Sequence, residues 1–318
     1  MVLPKFGKKG WKEIGIVASA AVALLIISCI LVGKTGEHHT PRQAQQPAVS
    51  HEKPFEFPAG GRTLLPNYRF VALYGTPGDS VLGVLGAQDP AASVQRAKDL
   101  AAQYQPYATE HVYPTFEIIT TVAAGSPTQN GDYSQEIEPE KIEPWIRTAK
   151  DAGVYVVLDL QPGRSDFLSQ AKQYQKLLEY PNVGLALDPE WRLTAAQMPM
   201  KQIGSVAIDE VNTTLSWLAD MTSQKKLPQK LVVLHQFRMD MLPNRERLDT
   251  SHAELAYVIQ MDGQGAQTVK LSTWRTVTAS PPANTYFGWK NFYAKDNPVL
   301  DPAGTMALEP KPWYVSYQ

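Results

Sequence analysis

One cysteine occurs in the 318 residues, Cys29, and none follows it. The long C-terminal part therefore has no disulfide, no thiol nucleophile and no cysteine zinc site. Histidine is scarce as well. His38, His39 and His51 fall in a polar stretch, which leaves His111, His235 and His252 for a folded region. No H-E-x-x-H signature is present and the first predicted strand has no H-x-H, so a histidine-rich zinc site lacks its ligands. A G-x-S-x-G elbow is missing. Gly75-Thr76-Pro77-Gly78 matches no phosphate-binding loop and reads as a tight turn. No cofactor is expected. Charge of one sign is missing too: 30 basic residues meet 31 acidic ones, for a net charge of −1. With no basic patch beyond the N-terminal flank, nucleic acid is not an expected partner.

Long apolar runs are absent with one exception. Residues 14–33 (IGIVASAAVALLIISCILVG) carry no charge. Twenty helical residues span about 30 Å, the hydrocarbon thickness of a bilayer. Lys5, Lys8, Lys9 and Lys12 precede this run, and Lys34 stands alone after it. That asymmetry keeps residues 1–13 in the cytoplasm and places the bulk of the chain outside the membrane. Two anchors are compatible with the residues. One is an uncleaved signal anchor. The other is a lipoprotein signal, because Ile26-Ile27-Ser28-Cys29 has the form of a lipobox with Cys29 as the lipidated residue. Either makes the lipid bilayer a partner. Residues 34–65, rich in Pro, Gln and His, read as a flexible linker, with a folded domain over 66–318. A tether of about 30 residues has a reach of roughly 30 Å.

From Tyr68 onward, short apolar runs alternate with amphipathic segments. Eight candidate strands lie at Phe70–Tyr74, Phe116–Val122, Val154–Leu160, Val183–Leu187, Leu231–Leu234, Leu255–Met261, Tyr286–Trp289 and Trp313–Tyr317. Helical periodicity appears in Val94/Ala97/Ala101/Tyr104, Ile142/Trp145/Ile146/Ala149, Phe167/Ala171/Tyr174/Leu178 and Ile208/Val211/Leu215/Leu218. Gly153 is placed to stop the second of these helices, and Ser165 to cap the third. The alternation predicts an α/β fold, a (β/α)8 TIM-type barrel, with an open doubly wound sheet as the alternative. The fourth strand favours the barrel. Val183, Leu185 and Leu187 share one parity and suit a helix-covered face. Gly184, Ala186, Asp188 and Glu190 share the other, small enough for a crowded interior and ending in two carboxylates.

Active sites of such barrels lie at the C-terminal strand ends. Here those ends are polar: Asp159 and Gln161, then Asp188 and Glu190, His235 and Gln236, Gln260 and Asp262. Carboxylates two residues apart on a strand repel one another, and burial raises one of their pKa values. A neutral acid beside an ionised one is what glycosidic bond cleavage requires. Glu190, nearer the rim, is the expected proton donor, with Asp188 as the partner that stabilises positive charge at the sugar carbon. Trp191, Phe237, Trp289, Phe292, Tyr293 and Trp313 supply rings near the same rim, and residues 192–204 form a long loop there. Asp159, Asp188, Glu190 and His235 are also a possible hard-cation set, a weaker reading.

The segment LALDPEW (185–191) resembles the D-x-E strand ending of chitinase-like (family 18) and lysozyme-like (family 25) glycoside hydrolases. YVIQMD (257–262) is similar to the acidic segment on strand six of the chitinase family, and Trp313 matches the position of its floor tryptophan. The resemblance implies a barrel acting on an N-acetylated polysaccharide such as peptidoglycan or chitin, with Glu190 as the catalytic acid. The chain departs from both patterns. Ala186 and Val183 stand where the chitinase motif has further Asp residues, and Phe70–Tyr74 lacks the first-strand Asp of the lysozyme-like family. The residues thus point to a membrane-anchored glycoside hydrolase-like protein of the cell envelope. Substrate binding is expected at Asp159, Gln161, Trp191, His235, Gln260, Asp262 and Trp313. The alternative is a non-catalytic barrel that binds glycan or protein.

Overall fold

The computed structural model describes residues 54–318. The proposed anchor, Cys29 and the three histidines at 38, 39 and 51 lie outside the described residues. Among those described, no helix is long and apolar enough to cross a membrane.

Eight parallel strands close on themselves. They are β1 (Tyr68–Gly75), β2 (His111–Ala123), β4 (Tyr155–Leu160), β5 (Val183–Leu187), β6 (Lys230–His235), β7 (Leu255–Met261), β8 (Thr285–Asn291) and β9 (Tyr314–Tyr317). Each pairs with the next, and β1 pairs with both β2 and β9, which seals the ring. A three-residue strand, β3 (Ser134–Glu136), lies antiparallel on the end of β2, outside the ring. Closure rules out the open sheet and establishes the TIM-type barrel. All eight expected strands are members of it.

Helices α1 (Pro90–Tyr104), α2 (Pro139–Asp151), α3 (Phe167–Gln173), α4 (Gln175–Leu178), α5 (Ile208–Gln224), α6 (Gln267–Thr278) and α7 (Pro302–Met306) surround the ring. Their apolar stripes cover the outward parity of the strands. Ile142, Trp145 and Ile146 of α2 and Leu215 and Leu218 of α5 join Val156, Leu158, Leu185 and Leu187 in one core. Gly153, at φ 68, ends α2 as its sequence position suggested. The cap expected at Ser165 belongs to its neighbour: the Asp166 carboxylate accepts from Ser169 N. The helical pattern through Leu178 breaks at Tyr174, whose hydroxyl lies 2.8 Å from both Thr120 O and Ile137 O and shares its one proton between them. After β6 the connection holds only short 3-10 turns.

The expected linker (34–65) is too long at its C-terminal side. Phe57, Leu64 and Leu65 are buried against the N-terminal end of the barrel. The Phe57 ring lies 5.7, 6.2 and 6.3 Å from the rings of Tyr68, Tyr113 and Tyr155. These apolar residues are widely spaced, so they show no strand or helix period, yet they close the barrel floor.

Above that floor the inward parity is apolar through Phe70, Val157, Val233 and Val258 and then turns polar. The narrow point is β5. A Cβ on Gly184 would sit 2.3 Å from Leu231 O of the adjacent strand, so only glycine lets β5 and β6 approach this closely. Gly184→Ala is expected to cost about 2 kcal/mol or more, since the clash is with backbone and not with a movable side chain. Urea unfolding at matched pH measures it, and an unchanged midpoint refutes the reading.

Candidate active site at the C-terminal rim

The inward side chains of the upper half form a charged layer. His235, the last residue of β6, has no exposed surface. Its Nδ1 lies 2.9 Å from Asp262 Oδ2 and its Nε2 lies 2.8 Å from Glu117 Oε1. Both partners are carboxylates, so both ring nitrogens donate and the imidazole is a cation. Burial works against that charge. The Asp159 and Glu117 carboxylates and the hydrogen bonds to Asp262 and Glu117 outweigh it and raise the His235 pKa well above its ordinary value. Glu117 Oε2 accepts from the Tyr314 hydroxyl at 3.0 Å. Asp159 Oδ2 accepts from the Tyr74 hydroxyl at 2.8 Å, while its Oδ1 lies 3.8 Å from His235 Nε2 and makes no hydrogen bond.

Above this layer opens a cleft of about 900 Å³. Asp188, Glu190, Asp262, Lys290, Trp191 and Gln161 contribute to its wall. Asp188 follows the last residue of β5, and its Oδ1 accepts from Glu190 N at 3.3 Å, which starts a short 3-10 turn, Pro189–Trp191. That turn lifts Glu190 to the cleft wall, where it is half-buried. The loop expected at 192–204 returns onto the turn, with Gly204 N donating to Glu190 O at 2.6 Å. The Arg192–Glu210 ion pair fixes its base at 2.9 Å.

Five carboxyl groups, Glu117, Asp159, Asp188, Glu190 and Asp262, thus share one interior with two cations, His235 and Lys290. They cannot all be ionised in so dry a volume. Burial, then Glu117, pushes Asp159 up to about 6 despite the opposing pull of His235. Burial, with Glu190, Asp159 and Asp262, raises Asp188 well above the carboxylate range although His235 opposes it. Burial and Asp262 push Glu190 up to about 7, against Lys290 and His235.

The expected site residues divide into three groups. Asp188, Glu190, Trp191, Asp262 and Gln161 meet on the cleft wall. Gln161 is held by its own fold contacts, its Oε1 accepting from Ala123 N at 3.0 Å. Asp159, His235 and Gln260 lie beneath the cleft, fully buried, with Gln260 Nε2 on Ser316 Oγ. None of the three is part of the cleft wall. Trp313 does not belong. It precedes β9 at the opposite end of the barrel, where its ring lies 4.3 Å from the Arg69 guanidinium carbon and 4.9 Å from the Tyr286 ring. A residue just before a parallel barrel strand lies at the floor and not at the C-terminal rim, which corrects the expected role. Among the other rings, Phe237, Phe292 and Tyr293 line the cleft, whereas Trp289 packs outward on Trp274 at 5.7 Å.

Glu117, Tyr74, Tyr314 and Lys290 were missed. Each lies on the inward parity of its strand, and Glu117 is the one acid inside the apolar run FEIITTV. The parity rule applied to the fourth strand finds all four.

Asp188, His235 and Asp262 have potential ligand atoms within 4.8 Å of one another. The His235 nitrogens are both committed to carboxylates, so a cation there must displace a buried ion pair. The donor set does not fit a resident metal, and the weaker hard-cation reading is not carried forward.

The raised groups set the sign of a pH dependence. The folded chain holds protons on Asp159 to about pH 6 and on Glu190 to about pH 7. Unfolded, these carboxyls release them near pH 4. The folded state binds more protons between those limits, so stability falls as pH rises from about 4 to about 7. His235, raised in the fold, contributes stability that is complete below about 6.5 and is lost as pH rises through its folded value. A higher urea midpoint at pH 5 than at pH 8 is expected, and the reverse order refutes it. His235→Ala leaves three carboxyls without their cation and is expected to cost about 3–5 kcal/mol at pH 7.

No protein-family model and no curated protein matches the chain. Solved structures with a similar course include the xylanase-alpha-amylase inhibitor protein XAIP-I in complex with trehalose. It is 12% identical, covers 78% of this chain and 92% of its own, and has a TM-score of 0.45. XAIP-II from Scadoxus multiflorus has the same values. A GH113 beta-1,4-mannanase complex is 11% identical over 70% of each chain, with a TM-score of 0.32. The chain is similar to a set that holds both glycoside hydrolases and inhibitors of glycosidases. The barrel assignment rests on its own strand closure.

Proposed function

We propose that this barrel is a glycoside hydrolase of the cell envelope, held at the outer face of a membrane by residues 14–33, with Glu190 as its general acid. The observation that carries the reading is the state of Glu190. It is a half-buried carboxyl on the cleft wall, pushed up to about 7, next to Asp262, which is ion-paired with His235. An acid with that pKa is still protonated near neutral pH and gives up its proton readily. The LALDPEW segment supports the same assignment, with an N-acetylated polysaccharide as the substrate class.

In this mechanism Glu190 transfers its proton to the glycosidic oxygen as the bond to the sugar carbon breaks. Positive charge develops at that carbon. Asp188 was the expected counter-charge, but burial and its acidic neighbours raise its pKa well above the carboxylate range, which favours its protonated form. It serves as a hydrogen-bond donor to the sugar. Asp262, supported from behind by the imidazolium, carries the opposing charge. Water then adds to the carbon and returns one proton to Glu190, which completes the cycle. Trp191 and Phe237 offer flat faces to the rings of the polymer.

Labelled peptidoglycan and chitin are the substrates of the test. Glu190→Gln is expected to lower turnover by about 10²–10⁴-fold, the usual worth of a general acid. Wild-type kcat/KM is expected to fall as pH rises above about 7, the point at which Glu190 loses its proton. Equal turnover by both proteins removes Glu190 from the mechanism. Binding without any turnover favours the non-catalytic glycan-binding barrel.

A further inference from the structure

Three lysines are buried among the described residues: Lys230, Lys270 and Lys290. Two are fully occupied. Lys230 Nζ donates to Tyr180 O at 3.1 Å and Val183 O at 2.8 Å. Lys270 Nζ donates to Lys290 O at 2.7 Å and to Asp296 Oδ2. Lys290 differs. It is 3% exposed, yet no hydrogen bond or ion pair engages its Nζ among the described residues. The Nζ rests 3.3 Å from the centroid of the Tyr74 ring, and the side chain forms part of the cleft wall. Its backbone is tied down by Lys270, so the ammonium is aimed by a fixed strand.

An ammonium on the cleft wall with three donors that no protein acceptor takes is best compensated by an anionic group entering the cleft. The face of Tyr74 provides only part of that compensation. The charge of the missing partner is also bounded. Asp188, Glu190 and Asp262 share the cleft, and a dianion such as a phosphate monoester meets acidic groups on the facing strands. One cation beside protonated or ion-paired carboxyls suits one negative charge.

The geometry points to Lys290 as a subsite for a carboxylate carried by the sugar, so that the substrate is an acidic polysaccharide bearing uronate or carboxyalkyl groups. The carboxylate docks on Lys290 Nζ at the β8 end of the cleft, while Glu190 and Asp188 act from the β5 side. Exposed Lys295 on the same wall adds to the attraction without fixing a position. Lys290 is thus a specificity-determining residue. The inference rests on the reading of the cleft as a glycan site.

The test uses the full chain in detergent micelles and titration calorimetry. The probes are hyaluronan hexasaccharide and the same oligosaccharide with its carboxyls methyl-esterified. Wild type is expected to bind the acid at least about tenfold more tightly than the ester, the worth of one charge-assisted hydrogen bond. Lys290→Met is expected to bring that ratio close to one, and Lys290→Arg to keep it. Lys290→Gln serves in parallel in case the apolar variant perturbs the fold, which thermal unfolding checks. Equal binding of acid and ester, no binding of either, or a preference that survives both Lys290→Met and Lys290→Gln overturns the inference. The two readings fail separately. If the barrel is not a hydrolase, the acid preference persists with no cleavage by wild type or Glu190→Gln. If the substrate is neutral, cleavage occurs with no acid preference.

Discussion

The upper half of the barrel is organised around the imidazolium of His235, clasped between Glu117 and Asp262 at 2.8 and 2.9 Å. Pairs this short and this buried are strong only because each desolvated charge has an answering one. Take the cation away and Glu117, Asp159 and Asp262 are left as neighbouring anions in a dry interior. With it in place, Glu117 and Asp262 each meet one imidazole nitrogen, while burial and crowding raise the pKa values of Asp159, Asp188 and Glu190. The arrangement of Asp188 and Glu190 above the paired acids thus depends on a fully buried residue one layer below the cleft wall.

That layer stands on an apolar floor that keeps its charges at the end of the barrel nearest the cleft. Phe57, Tyr68, Tyr113 and Tyr155 fill the floor with rings in edge-on and tilted contact. Gly184 and Ala186 narrow β5 where the strands converge, and the acids begin just above them. The strands deliver their side chains in layers, so a polar layer can be stacked on an apolar one without sharing residues. The cost of burying charge is confined to the end that opens to solvent.

Strand positions, closure and the polar rim were legible in the sequence, because period-two alternation in Val183–Leu187 and its counterparts follows directly from strand geometry. The site was legible where a carboxylate stood at a strand end, as with Asp188, Glu190 and Asp262. It was not legible where depth mattered. Trp313 and Tyr314 are adjacent in sequence, yet Trp313 covers the outer floor beside Arg69 while the Tyr314 hydroxyl reaches up to Glu117. Asp159 and Gln260 share the parity of cleft residues but sit one layer too low. Parity tells which face a side chain takes. Its height in the barrel depends on the shear between strands, which no single strand encodes. The floor segment at 54–65 was missed for a related reason: its few apolar residues fill a hole that only the closed ring creates.

The distribution of unsatisfied polar atoms separates structure from function. Six buried side-chain oxygens lack a hydrogen bond among the described residues, and three of them, Asp159 Oδ1, Gln260 Oε1 and Asp262 Oδ1, lie in or beside the His235 layer. Lys290 adds a buried cation without a polar partner directly above. A barrel interior built for stability alone would continue the Val and Tyr packing of the lower half to its rim, since apolar replacement of buried ion pairs is commonly neutral or stabilising. Instead half of these unpartnered oxygens lie beneath or beside one cleft, with Lys290 on its wall. Such concentration is expected where local rules are broken for chemistry. It marks the cleft between β5 and β8 as the candidate site, with Glu190 on one wall and Lys290 on the other.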